Sequence, residues 1–282
     1  MRFLTFLARR FIAGETVEQA ITAVKQLNGS GMSATLDILG ENVTSQEMAI
    51  RTADSYIKIL QTIAKTGIDS NISLKLTQMG LDISDQFCFD NVSRILDKAT
   101  ELDIFSRIDM EGSDYTERTL QLVYRWHEKY KNIGTVIQSY LYRSENDIKE
   151  LNKRKIRVRL CKGAYKEPGS VAFQSKDEVN DNYTKLTNLL LKDGVYPAIA
   201  SHDGAMIQAA LEASKTYDKG KDDFEFQLLY GVNRSAQREL TDHDYRVRIY
   251  TPFGSHWLPY FTRRLRERKE NVLFIAKHFF KD

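Results

Sequence analysis

Short apolar runs recur along the chain at residues 33–38, 72–76, 105–110, 135–138, 157–161, 198–201, 224–229 and 247–250. Between them, apolar residues return every three or four positions, the repeat of a single helix face. A strand followed by a helix, repeated, predicts a parallel sheet, and eight such units predict a closed (β/α)8 barrel. Barrels of this kind build their active sites from side chains at the carboxyl ends of the strands. That rule singles out Asp37, Glu41, Lys75, Asp109, Glu111, Gln138, Arg159, Lys162, His202, Gln227 and Tyr250.

The first helix is expected from Thr16, because Thr16 and Gln19 have capping-box spacing and Val17, Ala20, Ile21, Val24 and Leu27 form an apolar stripe. Preceding the first strand, it is expected to cover the barrel floor. A second box, Thr44 with Glu47, opens a helix that turns Met48, Tyr56, Ile57, Leu60 and Ile63 inward and stops at Gly67. Further helices are predicted at 85–101, 115–130, 144–154, 177–192, 203–216, 234–241 and 259–269. Two long connections, 77–87 and 163–176, are expected on the rim of the site, as functional or mobile loops. With four prolines and no Ser-, Gly- or Pro-rich linker, residues 1–282 read as one domain.

A hydrophobic content of 42% supports a sizeable core, and the net charge of +3, from 41 basic and 38 acidic residues, is too balanced for a nucleic-acid footprint. Two cysteines, Cys88 and Cys161, indicate neither a disulfide framework nor a cysteine metal site and fit a reducing cytoplasm. The opening MRFLTFLARR is broken by Arg9 and Arg10 before a secretory core forms. No run reaches the ~20 apolar residues that span a bilayer, so a soluble chain, at most lying on a membrane surface, is expected.

Several segments carry chemistry. Arg159 and Lys162 sit three residues apart at a strand end that runs into Gly163, Ala164 and Tyr165, a turn that lets backbone approach a ligand; a solvated cation pair is the even alternative. Arg263 and Arg264 lie in the last predicted helix, Arg263 sharing a face with Glu267. An arginine pair offers planar forks for a carboxylate or phosphate, although Arg266, Arg268 and Lys269 also fit a solvated basic face. Lys75 shares a strand face with Ser73, and an inward lysine must pair with a carboxylate, such as Asp109, or bind an anion. Asp109 and Glu111 share a side by period two and suit acid–base work or, with further ligands, a metal. The five histidines show no metal-ligand spacing, and His202 reads equally as a hydrogen-bonding residue. Gly29-x-Gly31-x-x-Ala34 precedes its strand, whereas a dinucleotide fingerprint follows one.

Taken together, Leu36-Asp-Ile-Leu-Gly-Glu41, Ser73-Leu-Lys75, Asp109-Met-Glu111, the segment from Arg159 to Tyr165, Phe224-Glu-Phe-Gln-Leu-Leu-Tyr-Gly231, Tyr250 and the Arg263-Arg264 pair resemble the proline dehydrogenase family, in family order and over nearly the whole chain. The resemblance implies a distorted (β/α)8 TIM barrel with an extra N-terminal helix. It implies bound FAD and oxidation of L-proline to Δ1-pyrroline-5-carboxylate by hydride transfer to flavin N5. Electrons would pass to a membrane quinone, and the chain would be cytoplasmic, touching the membrane only peripherally. By the same resemblance, Lys75, Arg263 and Arg264 bind the proline carboxylate, Asp109, Tyr165, Leu229 and Tyr250 shape the pocket, and Glu41 pairs with the first arginine to close it. Gln138, Arg159, Lys162, Gly163, Ala164, His202 and Glu267 would hold FAD, with no metal. Tyr250 matches the residue that favours proline over hydroxyproline by crowding the ring. Cys161 departs from the family's usual aliphatic, and the chain starts close to Ala8-Arg-Arg-Phe11, where family members often carry extra helices, which leaves the oligomeric state open. Two other readings stand beside this one: a Schiff-base aldolase using Lys75 or Lys162, and a non-catalytic barrel that binds an amino acid or anion.

Overall fold

The computed structural model describes residues 11–40 and 42–258. In chain order it contains α1 (Val17–Gly29), β1 (Ser33–Ile38), α2 (Gln46–Thr66), β2 (Ser70–Leu74), α3 (Asp85–Glu101), β3 (Ser106–Ile108), α4 (Ser113–Lys129), β4 (Ile133–Gln138), α5 (Ser144–Lys153), β5 (Arg157–Cys161), α6 (Lys176–Asp193), β6 (Ala198–Ala200), α7 (Gly204–Thr216), β7 (Glu225–Leu229), α8 (Arg234–Asp242) and β8 (Val247–Phe253). Each strand pairs in parallel with the next, and β8 closes on β1, giving the expected eight-stranded barrel. Strands β3 and β6 hold only three residues each, so the wall is uneven.

The register gives most strands an apolar outer face and a polar inner one; β4 and β6 differ, turning Gly134, Val136, Ala198 and Ala200 inward. Leu36, Ile72, Ile108, Ile199, Phe226 and Ile249 are buried in the core cluster under the helices. Their neighbours Thr35, Ser73, Arg107, Arg159, Gln227 and Tyr250 point the other way, and side by side they line the lumen. Barrel interiors of this fold are usually filled by Val, Ile and Leu; this one is filled by hydrogen-bonded polar and charged groups. Such a lumen is stable only when its members satisfy one another, since an unpaired polar group here costs roughly 1–3 kcal/mol.

The first helix does not lie across the floor. Its entry is tied to the carboxyl end of β8, where Ala13 N donates to Pro252 O at 2.9 Å and Gly254 N to Gly14 O at 3.0 Å. From there α1 runs down the outside of the barrel to the start of β1, burying Ala20, Ile21, Ala23 and Val24. It fills the place in the wall between β8 and β1, because that seam has an apolar face to cover whereas the floor is polar. Thr16 caps α1 by accepting from Gln19 N, but the Gln19 side chain accepts from Glu15 N rather than Thr16 N, so only half of the expected box forms.

The second expected box does not form, and the cap lies one residue later. Ser45, not Thr44, caps α2, accepting from Met48 N at 3.5 Å. Met48 then falls off the inward stripe of Ala49, Ala53, Tyr56, Leu60 and Ile63 and is 53% exposed, and Ile57 is half-buried. Gly67 ends the helix at φ 64°, as expected. The segment 77–87 follows the carboxyl end of β2 but is not an open loop: Thr77–Met79 form a buried 3-10 turn, and Ser84 caps α3. The segment 163–176 is anchored by a bridge between Leu141 and Ala172 and by Glu167, which accepts from Ser113 N at 2.8 Å and from the Ser113 hydroxyl. The predicted helix 259–269 lies outside the described residues. Among those described, no helix is long and apolar enough to cross a membrane.

Candidate active site

The carboxyl ends of β1, β2, β3, β5, β7 and β8 deliver one connected set of groups to the mouth of the lumen. Lys75 follows β2 directly and is 8% exposed. Its Nζ lies 3.1 and 3.0 Å from the two Asp37 oxygens, 3.6 Å from Asp109 Oδ2 and 3.4 Å from the Tyr250 hydroxyl. Tyr250 donates to Asp109 Oδ2 at 2.8 Å, and Asp109 Oδ1 accepts from Arg159 and from the Ser73 hydroxyl. Arg159 also donates to Gln227 Oε1 at 3.2 Å and lies 5.0 Å from the Tyr250 ring centroid. Below Asp37, Tyr56 of α2 donates to Ser73 O at 2.9 Å and accepts from Ile38 N at 3.1 Å, bracing β1 against β2.

Electrostatics assign the protons. Burial penalises the Lys75 ammonium, but Asp37 and then Asp109 outweigh that and carry its pKa above the ordinary lysine value. Burial also raises the Asp37 carboxyl, which the Lys75 charge offsets only in part. Asp109 is buried too, yet Arg159 and Lys75, with the Ser73 and Tyr250 hydroxyls, hold it below the usual carboxylate range. Burial and the charges of Asp109 and Asp37 push the Tyr250 hydroxyl well above its ordinary value, making it a donor and not a base. A lysine held cationic in this way is a poor amine nucleophile, which counts against the Schiff-base reading at Lys75. It is well made for receiving an anion.

Asp109 and Glu111 part company. Glu111 accepts from Thr77 N at 3.1 Å and from the Thr77 hydroxyl at 2.6 Å, fixing the 3-10 turn beyond β2. Among the described residues, no group of three or more His, Cys, Asp or Glu is arranged to hold a metal ion.

A second group of residues lines the rim from β4 to β7. Gln138 donates through Nε2 to Met110 O at 3.3 Å, while its buried Oε1 has no hydrogen-bond partner. Gly163 adopts φ 114°, and a Cβ there would overlap the Tyr140 ring, so glycine alone fits this turn. Lys162 is half-buried and bonds Asp203 Oδ2 at 2.7 Å and Asn180 Oδ1 at 2.5 Å. His202 Nε2 accepts from Leu229 N at 3.2 Å, which ties the ends of β6 and β7 together and places a proton on Nδ1 of the neutral ring. Tyr165 and Ala164 are half-buried in the same turn, and the Tyr165 hydroxyl is close enough to influence Lys75.

Of the expected carboxylate and pocket residues, the structure thus gathers Lys75, Asp109, Tyr250, Tyr165 and Leu229. Gln138, Lys162, Gly163, Ala164 and His202 occupy the adjoining rim, while Arg159 belongs to the Asp109 network at its centre. Glu41, Arg263, Arg264 and Glu267 lie outside the described residues. Sequence reasoning gave Asp109 to Lys75 as its counter-ion, but Asp37 is nearer. Asp37 had a signal, since period two along β1 points it toward the lumen; Tyr56, Asn180 and Asp203 had none.

Comparison with known proteins agrees with the sequence resemblance. Residues 20–277 match the family model described as proline dehydrogenase. Proline dehydrogenase 1 of Bacillus subtilis subsp. natto is 41% identical over 274 residues, covering 97% of this chain and 91% of that one. Proline dehydrogenase of Deinococcus radiodurans is 38% identical over 280 residues, covering 98% and 90% respectively. The crystal structure of proline utilization A from Bdellovibrio bacteriovorus, inactivated by N-propargylglycine, superposes with a TM-score of 0.89 at 26% identity over 94% of this chain, which spans 33% of that longer protein. By family match, sequence identity and fold, the chain belongs to the proline dehydrogenase family of oxidoreductases.

Proposed function

We propose that this barrel, as a single catalytic domain, oxidises L-proline to Δ1-pyrroline-5-carboxylate with FAD bound along the rim from β4 to β7. The observation that carries the reading is the Lys75 ammonium, held at the mouth of a polar lumen by Asp37 and Asp109 beside the Tyr250 hydroxyl. A buried cation with carboxylates on its inner side is preorganised for a substrate carboxylate on its outer side, because little need reorganise on binding. In this reading Arg263 and Arg264 complete the grip, and Glu41 pairs with Arg263 to close the site and exclude water. The rim residues suit a flavin: Gln138 Oε1 is a buried acceptor without a partner among the described residues, Gly163 allows close backbone approach, and Lys162, held in place by Asp203 and Asn180, offers a further N–H donor. Glu267 would contact the same cofactor from the last predicted helix, and Ala164 and His202 would border it.

Gln138, Gly163 and Lys162 would hold the flavin there, and it would supply the acceptor for the hydride lost from proline C5. Lys75 fixes the carboxylate end of the substrate, and Tyr250, Tyr165 and Leu229 set the space left for the ring. Arg159 and Asp109 hold Tyr250 in place, so the crowding that disfavours a hydroxylated ring is built on a buried ion pair. The resemblance supports a membrane quinone as final acceptor and a peripheral membrane contact.

An absorption spectrum of the purified chain tests the reading. Visible flavin absorption that bleaches on anaerobic addition of proline is the expected result. A protein that stays colourless after incubation with FAD, or a bound flavin that proline leaves oxidised, overturns it. Faster turnover of hydroxyproline than of proline would remove the role given to Tyr250.

A further inference from the structure

At the amino ends of the strands, on the opposite side of the lumen from Lys75, lies a cavity of about 150 Å³ whose charged border is three cations, Arg107, Arg157 and Arg248, against two carboxylates, Glu225 and Asp69, both of which pair with Arg248. We infer that this floor cavity binds one small oxyanion, gripped by the guanidinium groups of Arg107 and Arg157. The inference is independent of the reaction proposed above.

Three arginines meet there, and only one is fully engaged. Arg248 bonds Glu225 at 3.0 Å and Ala34 O at 2.8 Å. Glu225 is further satisfied by Gln227 at 2.5 Å and by Tyr196 at 3.4 Å, so it has little capacity left for the other two cations. Arg107 is 2% exposed, donates from Nη1 to Thr135 O at 3.2 Å and lies 4.9 Å from the Phe105 ring centroid; its buried Nε has no hydrogen-bond partner among the described residues. Burial, with Arg159 next, pushes the Arg107 pKa down, and the Glu225 charge opposes this only in part. Arg157 lies 5.2 Å from the Phe105 ring centroid and 4.8 Å from that of Tyr196, and no described residue accepts a hydrogen bond from it. Stacking between two rings orients a planar fork and leaves its N–H edge open, the arrangement arginine uses for carboxylate and phosphate. The tight wall at Gly134, where a Cβ would meet Phe105 at 2.7 Å, lets that ring approach.

Size and charge set the ligand class. A volume of about 150 Å³ admits a carboxylate of a few carbons, or inorganic phosphate or sulfate, and is too small for a nucleotide, whose sites run to roughly 300 Å³ and more. The charge of such an ion would meet Arg107, and its open oxygens the donors of Arg157.

The test is thermal unfolding of the full chain, loaded with its cofactor, against increasing sodium phosphate or sodium acetate at constant ionic strength. Binding to the folded state alone raises the midpoint by roughly 5 °C at 100 times Kd and then follows the logarithm of concentration. In Arg157→Gln the specific rise is expected to vanish while the KM for proline stays unchanged. In Arg157→Lys, which keeps the charge but loses the fork, binding is expected to weaken about tenfold, and this variant carries the test should the first fail to fold. A stronger response to phosphate identifies an inorganic ion as the occupant, and a stronger one to acetate identifies a carboxylate. A response equal in wild type and both variants, as general salting-out would give, or no response to either anion, overturns the inference.

Discussion

Lys75 has two tasks, and a mutation separates them. Removing its ammonium strands the buried Asp37 carboxylate, and breaking such a pair costs about 3–5 kcal/mol. Lys75→Met is therefore expected to lower stability in urea unfolding by that order and to raise the KM for proline. Lys75→Met combined with Asp37→Asn is expected to recover much of the stability, because the stranded charge is gone, but none of the affinity. A double variant that regained proline affinity would show that Lys75 is a structural counter-ion only. Strand-end position and period two made Lys75, Asp109 and Tyr250 legible as candidates. The Lys75–Asp109 ion pair was legible too, but the closer bonds to Asp37, Arg159 and Ser73 were not, because a side chain's facing direction is local information and its partner across the lumen is not.

The turns that carry these side chains rest on caps and buried carboxylates. Ser45, not Thr44, is the cap of α2. Ser45→Ala should cost about 1 kcal/mol, and Thr44→Ala should be close to neutral, both read by chemical denaturation. Glu47 at box spacing favoured Thr44 in the sequence; the turn leading from β1 favoured the adjacent hydroxyl instead. Glu111 supplies a pH-dependent case. Burial, though opposed by its bonds to Thr77, raises its folded pKa above the unfolded value of about 4.3. Ionised Glu111 therefore costs stability above that value, and the cost is relieved as pH falls through the folded pKa. Glu111→Gln should accordingly be more favourable relative to wild type at pH 7 than at pH 4. Unfolding free energies that change in parallel for the two proteins across that range would refute the assignment.

Considered as a whole, the molecule is a barrel turned inside out in polarity: its core lies between sheet and helices, and its lumen is an ionic network running from Arg248 and Glu225 at the floor to Lys75 and Tyr250 at the mouth. Its stability then depends on sealing the outer apolar layer, including the seam covered by α1. Val24→Asp places an unpaired charge in that seam and is expected to cost about 3–5 kcal/mol, whereas Lys25→Asp on the exposed face should change little. Equal unfolding midpoints for the two variants would mean that α1 is dispensable to the barrel.

Strand and helix order, the closed parallel topology and the nomination of strand-end residues all follow from alternation and helical repeat, which act between near neighbours in the chain. The pairing of Lys75 with Asp37, 38 positions away, and of Arg159 with Asp109, 50 positions away, emerged only when the sheet closed and brought distant strand ends to one level. The same holds for the path of α1 along the wall and for the two arginines left facing the floor cavity. Those outcomes depend on which surfaces remain to be covered, and which charges remain unmatched, after every strand has found its neighbours.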